Sequence, residues 1–64
     1  MYYYLENPIE GEMKEFPTLA SARKYMKETY GVNITKERAG LWTAYYWNSS
    51  LKEGFIFYLT RVKE

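Results

Sequence analysis

The chain contains no cysteine, no histidine and no aspartate. Without cysteine there is no disulfide to staple the fold and no thiolate to act as a nucleophile. Without cysteine and histidine the usual zinc sites are excluded. Glutamate is the one carboxylate side chain present. An acid–base or metal site built from glutamate alone would need a cleft that so short a chain can hardly enclose. The four glycines are isolated, so no phosphate-cradling loop is present. The expectation is a non-catalytic protein with no cofactor and no metal. No run approaches the roughly 20 apolar residues of a membrane span. The opening MYYYLENPIEGE has neither the basic nor the apolar region of a signal peptide. These absences point to a cytoplasmic chain with no membrane partner.

What is plentiful is aromatic. Of 64 residues, 20% are aromatic, with eight tyrosines, three phenylalanines and two tryptophans. A chain of this length forms one domain, 1–64, and buries only roughly 60% of the surface exposed on unfolding. Its stability must come from packing these rings. Net charge is +1, yet the charges are unevenly spread. Up to Phe16 there are four acids and one base; from Pro17 onward there are eight bases and four acids. A basic face is therefore possible, although a solvated helix surface is the plainer explanation.

Tyr-Tyr-Tyr-Leu at 2–5 favours a strand. Asn7-Pro8-Ile9-Glu10-Gly11 is a turn, and Glu12–Phe16 alternates as a second strand closing a hairpin. Pro17 ends it, and Thr18 is placed to cap a helix. Leu19, Ala22, Met26 and Tyr30 form one helical stripe, with Gly31 as the stop and Val32 placed for a Schellman contact. Thr35 is placed to cap a second helix beginning Lys36-Glu37-Arg38, with Ile34 and Ala39 spaced as a hydrophobic staple. The run Leu41–Trp47 is too uniformly apolar for periodicity to decide between helix and strand. Asn48–Gly54 is a loop, and Phe55–Val62 a strand with Phe55, Phe57 and Leu59 on one face.

The expected fold is therefore α+β: a small antiparallel sheet, made of the N-terminal hairpin and the C-terminal strand, packed on two helices in the order β-β-α-α-β. The alternative, with residues 41–47 as a strand, is β-β-α-β-β.

Phe16-Pro17-Thr18, Ala22, Tyr25-Met26, Gly31-Val32, Ile34-Thr35, Ala44 and Gly54-Phe55-Ile56-Phe57 together make a pattern. It resembles the small helix-turn-helix modules of phage and intron-encoded homing endonucleases. The resemblance spans nearly the whole chain, without a nuclease domain or the histidines that would cut DNA. It implies the two-helix fold, with Ala44 inside the second helix, and a second helix that lies on DNA.

Two functions follow as expectations. One is a small phage- or mobile-element-like DNA-binding or regulatory module. Lys36, Arg38 and Thr43 on the second helix, with Lys24 and Lys27 on the first, would meet phosphates and base edges. The other is a protein-interaction module, such as a phage inhibitor of a host protein, or a homodimer. Its contact residues would be Tyr2, Tyr4, Trp42, Tyr46, Trp47 and Tyr58, because Tyr and Trp dominate binding hot spots. Half-buried tyrosines with wet hydroxyls are the ordinary alternative for these rings.

Overall fold

The computed structural model describes residues 1–36 and 41–63. Its elements are β1 (Tyr2–Asn7), β2 (Glu12–Phe16), α1 (Leu19–Tyr30), β3 (Thr35–Lys36), β4 (Trp42–Asn48) and β5 (Glu53–Val62). The strands form one antiparallel sheet in the order β2-β1-β5-β4-β3.

Helix α1 has the ends its sequence encodes. Thr18 is extended, its hydroxyl accepts from the Ser21 N–H at 3.1 Å, and Ser21 Oγ accepts from the Thr18 N–H at 3.3 Å. These bonds satisfy two otherwise orphaned donors. At the other end Gly31 takes the left-handed conformation (φ 72°) and donates to the Lys27 carbonyl at 3.0 Å. A residue with a Cβ adopts that conformation only at a cost. Ala22 and Met26 are buried against the sheet. Tyr30, at the helix end, stacks near Phe57 (4.9 Å between ring centres) and Tyr46 (5.0 Å).

The two-helix expectation is corrected here. Among the described residues α1 is the one helix, and the sheet has five strands rather than three. Thr35 and Lys36 pair with Thr43 and Trp42 as a short strand instead of opening a second helix. The proposed start of that helix at Glu37, Arg38 and Ala39 lies outside the described residues. Trp42–Asn48 is a strand, as the alternative reading allowed, but Thr35–Lys36 is a strand in neither reading. The cause is long-range pairing. Every residue of β4 faces one of β5, from Trp42↔Leu59 to Asn48↔Glu53. That ladder, with its Trp and Tyr side chains suited to a pleated surface, outweighs local helix signals. A helix-turn-helix is therefore not present among the described residues, and the DNA-reading helix expected from the resemblance has no counterpart there.

Period-2 alternation gives the sheet two unlike faces. The register places Tyr3, Leu5, Phe16, Ala44, Phe57 and Leu59 together under α1, with Ile34 closing the core. The other face carries no described helix or strand.

Candidate functional site

The uncovered face is assembled from alternate residues of four long strands. Tyr2, Tyr4 and Glu6 come from β1, and Met13 and Glu15 from β2. Ile56, Tyr58, Thr60 and Val62 come from β5, and Thr43, Tyr45 and Trp47 from β4. Register sets the neighbours: Tyr45 opposes Ile56, Thr43 opposes Tyr58, and Tyr58 and Met13 flank Glu6. Tyr45, Trp47, Met13, Ile56 and Tyr58 are between 43% and 59% exposed. Large apolar side chains are thus presented side by side rather than scattered, the arrangement that marks interaction surfaces.

The exposed Tyr45 ring lies across Gly54. A Cβ on Gly54 would lie 2.8 Å from two carbons of the Tyr45 ring, so the ring covers the bare backbone of Gly54. Tyr2 and Tyr4 meet edge-on, with ring centres 5.2 Å apart. The Tyr4 phenol is held above its usual range, first by the neighbouring Tyr2 hydroxyl and then by the Glu15 carboxylate. It therefore stays neutral at physiological pH.

At one corner of this face a shallow cavity of about 300 Å³ opens beside the β1–β2 turn, with Glu6, Met13, Ile56 and Tyr58 in its wall. The turn itself is closed by hydrogen bonds, including one from the Gly11 N–H to the Asn7 carbonyl at 2.8 Å. The Asn7 side chain accepts from the N–H groups of Ile9 (2.9 Å) and Glu10 (3.1 Å) and donates to Tyr30 Oη (3.0 Å). Beyond it Glu10 and Glu12 share a hydrogen bond that raises the Glu10 pKa, an effect Lys14 partly opposes.

Charge is segregated between the two sides. Strand positions on the uncovered face carry two ionisable carboxylates, Glu6 and Glu15, and no base. Among the described strand positions, Lys14, Lys36 and Arg61 lie on the helix side. Lys14 Nζ sits 4.7 Å from the centre of the Tyr25 ring, and Lys36 Nζ 5.5 Å from the Trp42 ring. Tyr25 is itself pushed above the usual phenol range, first by burial and then by Tyr30. A second cavity, of about 370 Å³, includes Lys36, Trp42 and Arg61 in its lining.

The residues named for nucleic acid are not brought together. Lys24 and Lys27 are exposed on α1, Lys36 is on β3, and Thr43 is buried on β4 facing the opposite side of the sheet from Lys36. Arg38 lies outside the described residues. Of the aromatics named for protein contact, Tyr2, Tyr4, Trp47 and Tyr58 do share the uncovered face. Trp42 and Tyr46 do not: Trp42 packs against Tyr3 and Tyr46 against Tyr30 on the helix side. Tyr45, one of the surplus aromatics of the sequence, also belongs to the face, as do Met13 and Ile56, which were not singled out. Alternation within 12–16, 41–47 and 55–62 was the signal that could have found them.

Among the described residues no helix is long and apolar enough to cross a membrane, and no group of three or more acidic, His or Cys side chains could hold a metal. Comparison of the chain with protein-family models, curated proteins and solved structures returned no match.

Proposed function

We propose that the chain is a protein-binding module that docks a partner on the uncovered face of its sheet. The observation carrying this reading is the row of large exposed side chains, Met13, Tyr45, Trp47, Ile56 and Tyr58, on one face of a sheet whose other face is packed. Rings of this kind supply much contact area for little lost side-chain freedom. Glu6 and Glu15 set the polar complement. A suitable partner presents apolar side chains with a lysine or arginine beside them. The alkyl stem of such a residue fits over Met13 and Tyr58 while its head meets Glu6. A single-stranded nucleic acid fits less well, because its backbone would meet two carboxylates and no base on this face.

Photo-crosslinking tests the reading. Benzoylphenylalanine in place of Trp47 or Tyr58 is expected to give discrete adducts with another protein in extract from the native cell. The same group in place of Arg23 on the helix serves as the control and is expected to give none. Adducts from the Arg23 position alone would place the docking surface elsewhere.

A further inference from the structure

We infer that two copies of the chain join antiparallel along the free edge of β4, with the two-fold axis at Tyr46. Among the described residues, strand β3 pairs with β4 at two positions, Thr35↔Thr43 and Lys36↔Trp42. Among the described residues, Ala44 to Asn48 have a strand partner on the β5 side alone. Such a row of backbone donors and acceptors is a template for another strand, and proteins usually defend it with charge, proline or a bulge. The opposite edge of this sheet is defended: β2 carries Glu12, Lys14 and Glu15 within five residues. The sequence of β4, Trp-Thr-Ala-Tyr-Tyr-Trp-Asn, carries no charge and no proline.

The identity of the occupant follows from the strand's fit to itself. A two-fold axis perpendicular to the sheet keeps like faces on one side, so opposed residues must share parity, and the axis falls on a residue. With the axis at Tyr46, Tyr45 opposes Trp47 of the second copy, and Ala44 opposes Asn48. The free run is thereby used in full. No charge meets a charge across the seam, and aromatic cross-strand pairs are favourable. A net charge of +1 leaves only weak repulsion between copies. The two uncovered faces then lie on the same side, so this inference adds to the docking reading without requiring it.

Because the chain has no cysteine, single thiols can be placed cleanly. Tyr45→Cys and Trp47→Cys both fall at exposed positions. When the two variants are mixed and oxidised, residues directly opposed at about 5 Å fall within disulfide reach. Two copies of the same variant are offset diagonally by about 7–8 Å. The crossed disulfide, between one copy of each variant, is therefore expected to exceed either self-disulfide by roughly tenfold. The unmodified chain, in equilibrium sedimentation, is expected to approach twice its 7.7 kDa as concentration rises. Trp47→Lys, which keeps the fold by circular dichroism, is expected to weaken association roughly tenfold or more. The inference is overturned if the unmodified chain stays monomeric at millimolar concentration. It is equally overturned by self-disulfides as abundant as the crossed one, or by a Trp47→Lys variant that associates normally. A monomer that still crosslinks a foreign protein from Tyr58 would remove the pairing and leave the docking reading intact.

Discussion

Asn7 ties together three parts of the chain through one side chain. It closes the β1–β2 turn through two backbone N–H groups and reaches the end of α1 through Tyr30. It is buried, so removing it leaves those donors and the Tyr30 hydroxyl to find new partners in a tight space. Asn7→Ala is expected to cost about 2–3 kcal/mol and Tyr30→Phe about 1 kcal/mol, both read from urea unfolding. The turn around Asn7 is legible in the sequence, because Asn-Pro and Gly mark turns. The link to Tyr30 is not, because nothing local connects residues 23 positions apart. Gly54 carries a second residue-scale test. Gly54→Ala should displace the Tyr45 ring and destabilise the native chain by about 1 kcal/mol. In a Tyr45→Ala background the same change should be neutral or stabilising, since alanine is then the better strand residue. A double-mutant cycle on unfolding free energies reads the difference.

At the scale of elements, α1, β1, β2 and β5 were legible for a physical reason. The helix has a cap at Thr18, an apolar stripe through Ala22 and Met26, and a stop at Gly31, all within one local window. Residues 35–47 lacked such local resolution. Threonine serves equally as a helix cap and as a strand residue, so Thr35 pointed both ways. The apolar run from Leu41 to Trp47 contained no polar residue regular enough to fix a period. What decided it was pairing with β5, which a local reading cannot weigh. The grouping of the candidate aromatics turns on the same point: once 42–48 is strand, Trp42 and Tyr46 turn toward the helix while Tyr45 and Trp47 turn away. The turn element also carries a pH test. The folded Glu10 pKa is raised, mainly by its bond to Glu12. A raised folded pKa means a contribution that is full below the unfolded value and lost as pH rises through the folded one. Glu12→Ala removes both the bond and the like charge and should flatten that acid-range slope, measured by urea midpoints from acidic to neutral pH.

At the scale of the whole molecule, the described residues separate a basic helix side from a mildly acidic aromatic face. Strand pairing through an uncharged β4 involves no counterion-dependent step. The dimerisation constant is therefore expected to change little between low and physiological ionic strength, as measured by sedimentation. Binding of a basic partner through Glu6 and Glu15 should weaken over the same range. The sheet order has a further consequence, for the timing of synthesis. Strands β1 and β5 pair at the centre, with Tyr2 opposite Val62 and Glu6 opposite Tyr58. The β1–β2 hairpin, the helix and β4 all leave the ribosome before the strand that unites them. Until β5 emerges, β4 lacks the partner that spans its whole length, and its aromatic run is available to any neighbouring nascent chain. Unfolded chains held close together would therefore meet through β4 while it is least protected, so the yield of folded protein on refolding should fall as chain concentration rises.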